Sequence, residues 1–380
     1  TIDLLIKLIQ NKCVNPPGNE LRSIQTIESF LKERDIECEI IKSANNRGNL
    51  ISIIKGSDPT QPQLIFGPSH VDVVPVSNPT DWSVDPFAGE IKDEQIWGRG
   101  AIDMLFIVAS QVQAFSLLSQ EKFKPKSNLI LMIVSDEEAG GKFGTDFLLK
   151  ERPDLLKKGD SAVTEAGGIN IAPGKNRFLV MNGEKGSAWK KLVFKGTPGH
   201  GSMPYAADNA VEKAALATTR LRKYCDEEIP ITTEYLTNLA NGLDLGFFEK
   251  LMITKKIFLP LTLKKMKNKN PDMAKILHGM SRMTIAPTKI KGGIKINVIP
   301  ANAELLLDIR TLPGQDEEYV IKHLRKGLKD LSKEVEIITP SSEEGGIVSY
   351  GNASPINNEI WETMKKVVQG IVSKNADIVP

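Results

Sequence analysis

His70, Asp72, Asp103, Glu137, Glu138 and Glu165 are the residues of this chain whose types and placement point to chemistry. His70 and Asp72 close the apolar run Leu64-Ile65-Phe66-Gly67-Pro68-Ser69, and each of the remaining acids lies at a similar junction between a regular element and a loop. An imidazole with several carboxylates on one rim is the ligand set of a two-metal hydrolase. A neutral imidazole binds zinc, and a carboxylate beside it can hold the ring in the correct tautomer. Successive side chains at a strand end point in different directions, so one of Glu137 and Glu138 can bind metal while the other faces substrate. Asp103 precedes an apolar helix, where it can either cap the helix or bridge two ions. Taken singly, each residue has a plainer reading: a loop histidine, an N-cap, or a solvated acidic turn with Asp136 as a bystander.

These residues need a sheet to bring them together. Strands are expected over 38–41, 50–55, 63–67, 128–135 and 161–164, rich in Ile, Val and Leu, with helices over 24–33, 105–118 and 144–150. That alternation predicts an α/β sheet covered by helices on both faces, with ligands at the carboxyl ends of its strands. From about Gly186 the pattern changes. Strands at 191–195, 283–290, 304–310 and 335–339 alternate with helices at 208–222, capped by Asp208 or Asn209, and at 317–331. The order β-α-β-β-α-β is the ferredoxin-like split unit. Residues 225–282 are extra to it, Lys-rich in part, with short helical patterns. After Glu343-Glu344-Gly345-Gly346 an α/β style returns, with a helix over 360–372 and the opening of a strand at 376–380.

Composition narrows the partners. At 380 residues two domains are the default, and 49 basic against 47 acidic residues, with no basic stripe interleaved with aromatics, argue against nucleic acid. No run approaches the ~18 apolar residues of a membrane span, so no membrane partner is expected. Cys13, Cys38 and Cys225 have no CxxC spacing, which favours a reducing, cytoplasmic setting over a disulfide framework. The chain opens on Thr1, a start compatible with a removed leader.

Six stretches in order resemble the M20 family of metallopeptidases and amidohydrolases. They are Ser69-His70-Val71-Asp72-Val73-Val74-Pro75, Trp97-Gly98-Arg99-Gly100-Ala101-Ile102-Asp103-Met104, Ser135-Asp136-Glu137-Glu138, Thr164-Glu165-Ala166-Gly167-Gly168, Gly196-Thr197-Pro198-Gly199-His200-Gly201-Ser202, and Asn297-Val298-Ile299-Pro300 followed by Asp308-Ile309-Arg310. The resemblance implies a zinc-peptidase-like mixed α/β sheet flanked by helices, with an inserted ferredoxin-like α+β lid. The catalytic body would be 1–186 and 346–380, and the lid 187–345 with its insertion around 225–282. It implies two divalent ions, zinc before cobalt or manganese. His70, Asp103, Glu138 and Glu165 would be ligands, with Asp103 bridging and Asp72 orienting His70. Glu137 would be the general base. His200, reaching a neighbouring site in a homodimer formed through the lid, would polarise the substrate carbonyl. Asn297 and Arg310 would bind substrate, Arg310 by paired hydrogen bonds to a carboxylate. The plainer reading of Arg310 is a salt bridge to Asp308. His278 and His323 lie in helical patterns without a motif and are expected to be core or surface residues. Leu105-Phe106 departs from the family's usual Lys-Gly, a change that bears on helix packing.

The implied activity is metal-dependent hydrolysis of an amide or peptide bond in a small N-acyl amino acid or short peptide. The alternatives are a dipeptidase or carboxypeptidase, and a non-catalytic relative that has lost one metal site. Glu rather than Asp at 165 leans towards aminoacylase-like and dipeptidase-like relatives. The family also places a second histidine ligand near its C-terminus, and none of His70, His200, His278 and His323 corresponds to it. The expectation is a longer product with a further sheet segment and helix bearing that histidine; a degenerate relative and a single-metal site are the other readings.

Overall fold

The computed structural model describes residues 1–243, 245–341, 346 and 348–380, so Glu343-Glu344-Gly345, part of the stretch after which an α/β style is expected to return, lies outside the described residues. The described chain folds as two compact units, Thr1–Ala166 and Gly167–Pro380.

The first unit opens with α1 (Ile2–Gln10) and α2 (Leu21–Lys32), whose buried stripes are Leu4, Leu5, Leu8 and Ile9, and Ser23, Ile24, Ile27 and Leu31. Then come β1 (Glu39–Ala44), β2 (Arg47–Ile54), β3 (Leu64–His70), α3 (Phe106–Gln120), β4 (Leu129–Val134), α4 (Thr145–Glu151) and β5 (Ser161–Val163). The sheet order is β1-β2-β4-β3-β5. Strands β1 and β2 run antiparallel to their neighbours, while β4, β3 and β5 are mutually parallel. All six residues of β4 are buried, as in a strand covered on both faces. Alternate residues feed two cores: Leu129, Leu131 and Ile133 join the α1, α2 and α3 side chains, while Ile130, Met132 and Val134 join Ile51, Ile65 and Leu148. Ala101–Gln120 is, among the described residues, the one helical stretch long and apolar enough to cross a bilayer. Its Val108, Ala109, Val112 and Phe115 have no exposure and form part of the first core.

The second unit holds β6 (Gly167–Ala172), β7 (Arg177–Val180), β8 (Lys190–Lys195), α5 (Ala210–Glu227), four helices α6 (Glu234–Gly242), α7 (Phe247–Thr254), α8 (Leu259–Lys269) and α9 (Pro271–Ser281), then β9 (Thr284–Gly292), β10 (Asn302–Thr311), α10 (Glu317–Leu328), β11 (Val335–Ile338), α11 (Glu359–Ile371) and β12 (Asp377–Val379). The order β11-β8-β10-β9, antiparallel throughout, is the expected ferredoxin-like arrangement. Asn209 caps α5, its side chain accepting the Val211 N–H at 3.0 Å. Leu192, Phe194, Ala214, Leu221, Leu305, Leu307 and Leu324 form the core beneath the two long helices. Residues 225–282, expected as an insertion with short helical patterns, hold the end of α5 and then the helices α6 to α9 around Leu236, Ala240, Ile253, Leu259 and Leu277. Strand β12 pairs in parallel with β7, which pairs antiparallel with β6.

Candidate metal centre

The carboxyl ends of three neighbouring parallel strands deliver the first unit's chemistry. His70 is the last residue of β3, Asp136 to Glu138 follow β4, and Glu165 follows β5. Asp103 arrives from a tight turn, Ala101–Leu105, whose φ/ψ at Asp103 is non-helical; Leu105, with no side-chain cap, is the N-cap residue of α3. Asp103 is therefore no cap, and its carboxylate is free to face His70. Gly100 makes the turn possible: its φ is +81°, and a Cβ there would lie 2.4 Å from Val73 Cγ1. Leu105, where the family usually has another residue, is 1% exposed in the core.

His70 Nδ1 lies 2.9 Å from the Asp72 carbonyl, which accepts its N–H, so Nε2 keeps its lone pair. Nε2 is 3.3 Å from Asp103 Oδ1, 3.3 Å from Glu165 Oε2 and 3.9 Å from Glu137 Oε2. One atom each from His70, Asp103 and Glu165 lies within 4.8 Å of the others. The His70 side chain is 2% exposed and that of Asp103 68%, so the cluster is anchored at the imidazole and open at the aspartate.

Asp72 does more than the sequence implies, and differently. Its carboxylate is 3.5 Å from His70 Nδ1, while its backbone carbonyl is the nearer partner. The carboxylate instead accepts the N–H groups of Glu137 at 3.2 Å and Glu138 at 3.1 Å, and the Asn15 side-chain amide at 2.8 Å. It thereby fixes the turn that presents both glutamates. Asp136, expected to be a solvated bystander, is 3% exposed and left-handed at φ +70°. It is held by Asn15 at 2.9 Å, by the Phe143 N–H at 3.1 Å and by the Arg47 guanidinium. Arg47 also donates to Asn15 Oδ1 at 2.9 Å and to buried Glu20 at 3.2 Å. Placed in a strand-end turn beneath the site, Asp136 must be paired or pay desolvation, and Arg47 supplies the pairing.

In the second unit, His200 and Asn297 are brought together. Gly199–His200 pairs with Val298–Ile299, and the Gly201 N–H donates to the Asn297 carbonyl at 2.8 Å. Both residues are exposed. The Ser202 N–H donates to His200 Nδ1 at 3.2 Å, which leaves the ring proton on Nε2. Arg310 follows the plainer reading: Nε and Nη2 donate to Asp308 at 2.8 and 3.3 Å, and Nη1 to Ser187 Oγ at 2.6 Å. His323 is a buried core residue with Nδ1 2.6 Å from the Tyr224 hydroxyl.

Two family profiles match the chain: "Peptidase family M28" over 49–202 and "Peptidase dimerisation domain" of the M20 type over 182–336. An M20 family metallo-carboxypeptidase from Sulfolobus solfataricus superposes with a TM-score of 0.67 at 19% identity, over 99% of this chain and 84% of that one. The chain is similar to the M20 family in its fold and in the dimerisation-domain profile over 182–336. An uncharacterized metallohydrolase of Methanocaldococcus jannaschii is 27% identical to this chain, over 82% of it and 66% of the relative. A succinyl-diaminopimelate desuccinylase of Wolbachia sp. subsp. Brugia malayi is 30% identical, over 58% of this chain and 54% of that protein. The chain thus spans between about half and two thirds of the length of these curated relatives.

The donor set His70, Asp103 and Glu165 fits divalent metal. Burial alone would lower the His70 pKa, but hydrogen bonds to Asp72 and Glu165 and the charges of Asp72 and Glu137 push it up to about 11. Burial, reinforced by Asp103, Glu137 and Asp72 against the pull of His70, raises Glu138 to about 7. So many acids around one imidazole demand positive charge, as a proton or as a cation, and three converging donor atoms suit the cation. Asn15 and Arg47 carried no sequence signal, being an Asn and an Arg whose partners lie up to 121 and 89 residues away.

Proposed function

We propose that this protein is an M20-type hydrolase that cleaves an amide bond next to a free carboxylate, in an N-acyl amino acid or a short peptide, with two divalent ions, zinc foremost. The convergence of His70 Nε2, Asp103 and Glu165, with Glu137 3.9 Å from the same nitrogen, carries this reading. His70, Asp103 and Glu165 would hold one ion, and Asp103 with Glu138 would contribute to the other. A divalent ion held by these residues would supply Lewis acidity for the amide carbonyl and for ionisation of water. Glu137, 53% exposed on the open side, takes the proton of the attacking water and returns it to the departing amine. Asp72 holds the Glu137 and Glu138 backbone so that these roles stay separate.

His200, with its proton on Nε2, is a hydrogen-bond donor for the carbonyl oxygen as negative charge develops. Asn297 adjoins it, and Arg310, steadied by Asp308, is the proposed partner of the substrate carboxylate. The dimerisation-domain match over 182–336 supports pairing of two chains through the lid. A body of 1–186 and 346–380, a lid of 187–345 and a cytoplasmic location belong to the same proposal.

Screening N-acyl amino acids and dipeptides with added zinc or cobalt tests the activity. Glu137→Gln is expected to lower kcat by ~10²- to 10⁴-fold while metal content stays unchanged. Turnover that survives this substitution would rule out the mechanism.

A further inference from the structure

We propose that the hairpin of α7 and α8 is a peripheral docking surface for anionic lipid bilayers. Residues 247–270 carry seven lysines, at 250, 255, 256, 264, 265, 267 and 269, against the single acid Glu249. The whole 380-residue chain has a net charge of only +2, so this segment concentrates positive charge that the remainder more than balances. Glu249 is itself engaged, accepting the Gly246 N–H at 2.8 Å.

The same segment exposes large apolar side chains. Phe247 is 76% exposed, Phe248 77%, Ile257 80% and Leu261 50%. The hairpin does not need them for its own packing, because Ile253 and Leu259 already anchor it to Leu236, Ala240 and Leu277. The two phenyl rings meet edge to face at 5.6 Å and leave their outer surfaces to solvent.

Exposed aromatics and aliphatics among lysines on short helices describe an interfacial element. The apolar groups enter the headgroup boundary, and the ammonium groups meet lipid phosphates and carboxylates. Helices of 8 and 11 residues are too short to span the ~30 Å hydrocarbon layer, so the association is peripheral. The expectation of no membrane partner addressed spanning segments, and this surface is a different matter. A nucleic acid would also meet the lysines, but it has no use for exposed Ile257 and Leu261, and the segment contains no arginine to grip phosphate or base edges.

Vesicle co-sedimentation of the purified chain tests this. With about 30% phosphatidylserine in phosphatidylcholine at about 0.1 M salt, binding is expected at least ~10-fold above that to pure phosphatidylcholine, with loss at high salt. Phe247→Ser with Phe248→Ser should lower binding to both vesicle types. Lys255→Glu with Lys256→Glu and Lys265→Glu should erase the phosphatidylserine preference. Both variants change exposed side chains and should keep the wild-type melting temperature. Equal binding to both vesicle types by the wild type, variants that bind as it does, or tighter binding to a single-stranded oligonucleotide than to the anionic vesicles would each overturn the proposal.

Discussion

Among the described residues, two clusters, one in each unit, place three metal-capable atoms within 4.8 Å of one another: His70, Asp103 and Glu165, and Cys225, Asp226 and His278. By distance they are equivalent. By charge they are opposites. Around His70, hydrogen bonds and acid charges overcome burial and drive the imidazole up to about 11. At His278, burial together with Arg282, Arg222 and Lys185 outweighs the lone pull of Asp226 and brings the imidazole down to about 4. Cys225 is a thiol whose pKa burial pushes up, with its sulfur accepting the Ile285 N–H at 3.2 Å. Metal needs a deprotonated ligand set and a field that welcomes a cation. The acids around His70 give the first cluster that field, whereas at the second His278 is neutral but faces Arg282, Arg222 and Lys185, and burial disfavours the Cys225 thiolate. Proximity nominates a metal site; the sign of the surrounding charge decides it.

The sharpest break of this comparison is a paired substitution. His70→Ala removes the only nitrogen donor of the first cluster and should abolish stoichiometric zinc or cobalt, read by elemental analysis after gel filtration. His278→Ala should leave metal content at the wild-type value. Metal lost in the second variant and kept in the first would invert the assignment. Next in size comes the support beneath the first cluster. Arg47, 9% exposed, bridges buried Glu20 and Asp136, and Arg47→Met strands both acids. Breaking such a pair costs about 3–5 kcal/mol, which urea unfolding would detect. Asp72→Ala should then weaken metal binding by roughly 10- to 100-fold, because it frees the Glu137–Glu138 turn while sparing every proposed ligand. An Asp72→Ala protein with wild-type affinity would show that the turn holds without it.

The two clusters also differ in how far the sequence foretold them. The strand-end placement of His70, Glu137, Glu138 and Glu165 was legible because β3, β4 and β5 are short apolar strands: β3 ends on His70, and β4 and β5 end just before the glutamates. The ferredoxin-like order of β8, α5, β9, β10, α10 and β11 was legible from period alone. Asn15, Arg47 and the burial of Asp136 were not, since their partners are distant in sequence and their residue types are ordinary. Asp72 shows a subtler gap. Its residue type suggested a carboxylate on His70, yet the backbone of the loop turns its carbonyl to the ring and its carboxylate to two N–H groups. The Cys225–Asp226–His278 group was invisible because Cys225 and Asp226 close α5 while His278 lies on α9, more than 50 residues on.

The smallest expected effect follows from the pH response of His278. Its folded-state pKa, about 4, lies below the ordinary value of 6.5, so between those limits the unfolded chain binds more protons than the folded one. Stability from this group is fully present above pH ~6.5 and is lost as pH falls towards 4. His70 in chelated protein has the opposite sign: its folded pKa is raised, so its contribution is present below pH ~6.5 and declines as pH rises towards 11. His278 Nε2 is buried without a hydrogen-bond partner, 3.7 Å from Asp226 Oδ1, so an apolar replacement gives up little at neutral pH. His278→Leu should therefore match the wild type near pH 7 and lose less stability than it between pH 6.5 and 4, measured as the shift of the urea midpoint. A variant whose midpoint falls in parallel with the wild type would show that His278 is not held neutral, and the contrast of fields between the two clusters would lose its physical basis.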